Sequence, residues 1–374
     1  MERAMRILVA PDKFKDSLDA SDAGKEIAAG LSDVLHGAQI TVIPVADGGE
    51  GTAEAIALAR GGEWITGDAQ DALGRRIAAR YLWLPVKATA VIEMSEAAGT
   101  RRLAPYELNP LRARTCGVGE MLLSAARRGA KEIVVGLGGS ATNDGGFGMA
   151  RTLGFRFLDA KGRERSGEVS ELRALARVVA PAGLQLPKII AAADVRNPLL
   201  GERGATQTFA RQKGASAEDI DILEAALTKL ADVVEKEFTI RLRDIPGAGA
   251  AGGCGFGLMA FCTAEMRSGF EVVAEMTHLE TAIRDADVIV TGEGNLDAQT
   301  LDGKAPVGVA RLARKFGKRV FAVVGNASHE PELHSIFDGV FSLVQPPVTR
   351  DEAMKNVRAL LRLRAAELAR RLSG

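Results

Sequence analysis

Cysteine, histidine and aromatic side chains are all sparse in this sequence of 374 residues. Its three cysteines, Cys116, Cys254 and Cys262, form an odd, widely spaced set without a C-x-x-C pair. That excludes a disulfide framework and a structural zinc site, and reduced cytosolic thiols are expected. Cys254, flanked by glycines, reads as a small packing residue. None of His36, His278, His329 and His334 falls in an H-E-x-x-H pattern, so they read as surface or structural groups. Aromatics make up 5% of the chain, Lys plus Arg equals Asp plus Glu at 48 each, and no basic block stands out. Nucleic acid is therefore not an expected partner. No apolar run approaches the roughly 20 residues of a membrane helix. The run at residues 7–10 before Pro11 is too short for a signal-peptide core, so a cytoplasmic location is expected.

What is present is an ordinary globular composition, 47% hydrophobic and 26% charged, in a chain long enough for two domains. Short apolar runs at residues 6–10 and 39–46 read as strands, each followed by a helix, over 20–35 and 52–60. Residues 287–291, 319–324 and 339–344 repeat the strand pattern near the other end, with helices over 306–316 and 351–372. Alternation of this kind favours a parallel sheet. The middle differs: strands over 76–84, 89–94, 132–137 and 188–194, and helices over 114–128, 147–153, 216–238 and 256–266. The expected fold class is α/β. A Rossmann-like parallel-sheet domain would form from both ends, residues 1–65 plus 285–374, with a second α/β domain of residues 66–284 inserted.

Four polar, glycine-rich loops follow expected strands: residues 11–17, 47–52, 138–146 (GGSATNDGG) and 292–304. Open parallel sheets bind ligands at the carboxyl ends of their strands. Glycines let backbone N–H groups approach an anion, lysines add point charges, and carboxylates suit Mg²⁺. Turns alone do not require Glu50, Asp144, Glu293, Asp297 and Lys304 beside the glycines. Two familiar patterns fail. The G-x-G-x-x-G at 247–252 follows Pro246 and a charged stretch rather than a strand, which argues against a dinucleotide fingerprint and leaves an oxidoreductase as a rival class. Gly303-Lys304 lacks the serine or threonine and the first glycine of a P-loop. Asp194-Val195-Arg196-Asn197 ends a strand with an acid, a cation and an amide, a set suited to an anionic substrate or to a turn.

In this order, the segments APDKFKDSL, PVADGGEGT, EMSEAAG, VGLGGSATNDGGFGMA, DVRNPLLGERGAT, PGAGAAGGCGFGL and TGEGNLDAQTLDGKAPVGVA resemble the bacterial glycerate kinases of type 1. The resemblance covers nearly the whole chain. It implies phosphorylation of D-glycerate by ATP with Mg²⁺, usually at the 2-hydroxyl, with 3-phosphoglycerate as the other product to consider. Two positions depart from the family pattern: Asp16 stands where a glycine is usual, and Asn295 where an arginine is usual. They keep open another small hydroxy acid as substrate, or a non-catalytic hydroxy-acid-binding relative. Homo-oligomerisation is left open.

With that reaction in view, roles can be assigned as expectations. Gly138, Gly139, Ser140 and Gly145 would cradle phosphate, with Gly252 and Gly253 also on the nucleotide. Lys13, Lys15 and Lys304 would neutralise charge. Glu293 and Asp297 would hold Mg²⁺. Asp194 or Asp47 would accept the hydroxyl proton. Arg196, with Asn197, Ser17 and Asn143, would hold the substrate.

Overall fold

A computed structural model describes residues 4–297, 304–328 and 331–373. Residues 298–303, at the centre of the 292–304 loop, lie outside that description, as do His329 and the side chain of His334. In chain order the strands are β1 (Arg6–Pro11), β2 (Gln39–Val42), β3 (Glu63–Gln70), β4 (Arg76–Leu84), β5 (Thr89–Glu93), β6 (Glu132–Gly136), β7 (Arg156–Asp159), β8 (Leu175–Val179), β9 (Lys188–Ala192), β10 (Glu265–Arg267), β11 (Val288–Gly292), β12 (Asn295–Leu296), β13 (Arg319–Val324), β14 (Asn326–Ala327) and β15 (Gly339–Ser342).

Two units share the chain: Met1–Asp47, Glu54–Gly61 and Gly269–Gly374 form the first, Gly48–Ala53 and Gly62–Ser268 the second. The division falls at 268/269 rather than 284/285. The helices Gly269–Met276 and Leu279–Asp285, which periodicity did not reveal, bury Phe270, Leu279 and Ile283 in the first unit's core.

The first unit holds an all-parallel sheet of order β15-β13-β11-β1-β2. Its central strands are apolar on both faces because both faces are covered. Leu8, Ala10, Ile289 and Val320 pack under the helix Ala305–Lys315, while Ile7, Val9, Val290 and Phe321 face the helices Ala20–Ser32 and Val357–Ser373. The single helix expected over 351–372 is two, Arg350–Lys355 and Val357–Ser373. Asp19 caps the helix Ala20–Ser32 by accepting from the Asp22 amide at 2.7 Å.

The second unit holds a mixed sheet of order β10-β9-β6-β5-β4-β3, in which β4 runs antiparallel to both of its neighbours, β5 and β3. β3 and the antiparallel pair β7 and β8 were not expected from the sequence. The helix expected over 256–266 lies instead within Ala250–Cys262, a span kinked at residues 251–253. Thr263, in the left-handed region at φ 51°, ends it, and residues 265–267 become an edge strand on β9.

Candidate functional site

In the first unit the loops after the adjacent strands β11, β1 and β2 leave the carboxyl edge of the parallel sheet. β1 and β11 are paired to their last residues, Pro11 with Gly292, so the chain turns into both loops at one level. The Asp12 amide donates to the Gly292 carbonyl at 2.8 Å, and the Val45 amide donates to the Pro11 carbonyl at 2.9 Å, which brings the strand ahead of Asp47 alongside. Gly292 is required here, since a Cβ would lie 2.2 Å from the Val323 carbonyl oxygen.

These turns gather acids. Asp12 and Glu293 are buried and Asp47 is half-buried. Burial raises the Asp12 carboxyl well above the usual range, and the Asp47 charge adds to it. Lys13 opposes the rise, both by its charge and through its amide, which donates to Asp12 Oδ1 at 2.7 Å, while Glu293 adds to it more weakly. Asp12 was not singled out from the sequence. Its signal was available: an acid directly after a buried parallel strand. Lys13 is half-buried, Lys15 exposed and Ser17 half-buried in the same loop.

Asp297 faces a different set: Asn295 Nδ2 donates to its Oδ2, and Lys304 Nζ lies 4.0 Å from its Oδ1. Asn295 also accepts from Asn326 Nδ2 at 3.0 Å. Asn295 thus ties Asp297 to β14. Asp16 has φ 62°, the left-handed region in which a glycine carries no penalty.

In the second unit the 138–146 loop follows β6 and is braced on several sides. The Gly138 amide donates to the Gly48 carbonyl at 3.3 Å and the Ala141 amide to Ala98 at 2.8 Å; the Gly139 carbonyl accepts from the Thr100 amide at 2.9 Å. Gly138 leaves no room for a side chain, with Gly49 Cα 2.3 Å from where a Cβ would stand. Glu93 at the end of β5 fixes the neighbouring 48–53 loop by accepting from the amides of Gly51 and Ala53 at 3.0 and 2.9 Å.

Behind the loop, buried Asp144 accepts from the Thr115 amide and hydroxyl and from the amides of Gly146 and Gly148, all within 3.1 Å. Its role is architectural, although burial raises its pKa against those bonds. Asn143 is fully buried and donates to Thr206 Oγ1 at 3.0 Å, while its Oδ1 has no hydrogen-bond partner among the described residues.

The 247–253 segment packs on this loop rather than opening a dinucleotide site. Ala251, Gly252 and Gly253 are all left-handed, and the Gly252 carbonyl accepts from the Gly145 amide at 3.0 Å. Lys213, absent from the sequence expectations, is buried and donates to Ser140 Oγ at 2.8 Å and to the Thr142 carbonyl at 2.7 Å. A lone lysine in a polar stretch gave no periodic signal.

After β9, Asp194 accepts from Ser268 Oγ at 2.7 Å. Arg196 is exposed. Asn197 is spent on the loop itself, donating to the Arg203 carbonyl at 2.7 Å and to Thr208 Oγ1 at 3.3 Å.

With this geometry in place, comparison with known proteins is decisive. A sequence profile of the glycerate kinase family matches residues 7–373. The chain belongs to the glycerate kinase family. It is 38% identical to a glycerate kinase of Bacillus subtilis (strain 168), over 98% of this chain and 97% of that protein. It is 40% identical to the glycerate 2-kinase of Escherichia coli (strain K12), over 94% of this chain and 93% of that one. A crystal structure of a candidate glycerate kinase 2 from Salmonella typhimurium LT2 superposes with a TM-score of 0.85 at 38% identity, covering 99% of each chain. The α/β fold and the family resemblance read from the loops are both borne out. The named relatives are phosphotransferases with an alcohol acceptor.

Proposed function

We propose that the protein transfers the γ-phosphoryl group of ATP to the 2-hydroxyl of D-glycerate, giving 2-phosphoglycerate and ADP. The observation that carries this reading is the set of acids Asp12, Asp47 and Glu293 at the carboxyl edge of a parallel sheet, in a chain of this family. Burying mutually repelling carboxylates is unfavourable unless a cation is shared among them.

Among the described residues no three side chains are already arranged as a metal cage. Mg²⁺ does not need one: it is commonly held by one or two carboxylates, with phosphate oxygens and waters completing its shell. Glu293 and Asp12 fit that requirement, and Asp297 offers a further acid on the loop after β11. Bound there, the ion would supply charge neutralisation on the phosphates.

The remaining work falls to the protein's own groups, since phosphoryl transfer depends mainly on positioning and electrostatics. Lys13, Lys15 and Lys304 offset phosphate charge. The backbone of Gly138, Gly139, Ser140 and Gly145, supported by Gly252 and Gly253, cradles the nucleotide phosphates. Arg196 binds the glycerate carboxylate, aided by Ser17, Asn143 and the loop that Asn197 holds. As the substrate oxygen bonds to the γ-phosphorus, the bond to the β–γ bridging oxygen breaks, ADP leaves with the electron pair, and Asp194 or Asp47 takes the hydroxyl proton.

A magnesium titration of the initial rate tests the reading. Glu293→Gln is expected to raise the Mg²⁺ concentration for half-maximal rate by about tenfold or more. An unchanged magnesium dependence removes Glu293 from the metal site.

A further inference from the structure

We propose that Lys213 is a positioning residue for the 138–146 loop, and that phosphate binding on this loop depends on the buried lysine charge behind it. The inference rests on the reading of this loop as the phosphate cradle.

Three observations support it. Lys213 is buried, at 3% exposure, and its Nζ donates twice to one short stretch, at Ser140 Oγ and the Thr142 carbonyl. Among the described residues no carboxylate forms an ion pair with it. The charged or titratable groups facing it are Asp144, on the loop, and Cys254, on the helix Ala250–Cys262. The Asp144 carboxylate is already engaged by four donors, and burial pushes the Cys254 thiol well up, so it stays neutral. The lysine charge therefore lacks a full counter-ion until an anion arrives.

Burial pulls the Lys213 ammonium down to about 7, with the Asp144 charge only partly offsetting it. At neutral pH the group is then divided between its two forms. A bound phosphate favours the charged form, and by linkage the charged form favours phosphate. Binding should take up protons.

The test is calorimetric titration of the full chain with ADP and Mg²⁺ at pH 7.5, in two buffers of different ionisation enthalpy. The variants are Lys213→Met, Lys213→Arg and Gly139→Ala. The wild-type protein is expected to take up a fraction of a proton more than either lysine variant, so the nucleotide's own titration cancels in the difference. Lys213→Met should bind ADP at least about tenfold more weakly, the usual cost of losing a charged hydrogen-bond donor. Wild-type affinity and uptake in Lys213→Met would overturn the proposal. So would wild-type uptake in Lys213→Arg, which cannot titrate in this range and serves if the methionine variant does not fold.

Gly139 has φ 74°, and its Cβ would lie 2.6 Å from Glu50 Oε1. If Gly139→Ala weakens ADP binding and Lys213→Met does not, only the role of Lys213 falls. If neither changes it, the phosphate reading of the loop falls.

Discussion

Asp12 illustrates at the scale of one residue how a site works against stability. Its carboxyl is raised by burial and by Asp47, so the folded state holds its proton to higher pH than the unfolded state does. Between the two pKa values the folded state binds more protons, so its stability falls as pH rises through that window. Above the folded pKa the cost is fully present. Asp12→Asn removes the ionisation and is expected to raise Tm at pH 7.5 while lowering kcat/KM. The Tm gain over wild type should vanish at acid pH, below the unfolded pKa. Calorimetric melts from acid to neutral pH check this, and a lower Tm at neutral pH would show that the charge stabilises the fold. Lys213 has the mirror-image sign: its folded pKa, about 7, lies below the ordinary lysine value of 10.5. Its burial costs most below neutrality, and that cost fades as pH rises toward 10.5.

Among elements, the central one is the contact between two glycine-rich loops in the second unit. Gly252 has φ 65°, and a Cβ there would stand 2.0 Å from the Thr142 carbonyl oxygen. Alanine at 252 must push the 138–146 loop away or strain its own backbone. Gly252→Ala is expected to cost about 1–3 kcal/mol of stability. Denaturant melts read the stability. ATP KM should rise as well, because the displaced loop is the proposed cradle.

Close contacts of this kind explain what the sequence conveyed and what it did not. Strands β1, β11 and β13 were legible because covering both faces leaves uninterrupted apolar runs, as in Ile7–Ala10's four residues and Val320–Val324's five. β3 was not, because Glu-Trp-Ile-Thr-Gly-Asp-Ala-Gln at a sheet edge is mostly exposed and lacks clear alternation. The glycine loops stood out as sites, yet the sequence could not rank their members. Asn197 is taken up by its own loop, Asp297 sits with Asn295 and Lys304, and the acid beside Glu293 is Asp12. Long-range pairing in the folded chain decides these partners, and local composition carries no trace of it.

At the scale of the whole molecule, family membership spans residues 7–373, and the chain and the Salmonella structure cover each other almost completely. Asp16 and Asn295, the two positions at which the sequence is expected to depart from the family pattern, are local features of the fold. Asp16 occupies a left-handed position and Asn295 bridges Asp297 and Asn326. Neither disturbs the acids at the sheet edge, so the reaction class is expected to survive both. The most direct measurement is phosphorus NMR of the products formed from ATP, Mg²⁺ and D-glycerate, with L-glycerate and hydroxypyruvate in parallel. The account predicts ADP and 2-phosphoglycerate in equal amounts from D-glycerate. Formation of 3-phosphoglycerate would contradict the proposed position of transfer, and the absence of any phosphorylated D-glycerate from folded protein would contradict the proposed function.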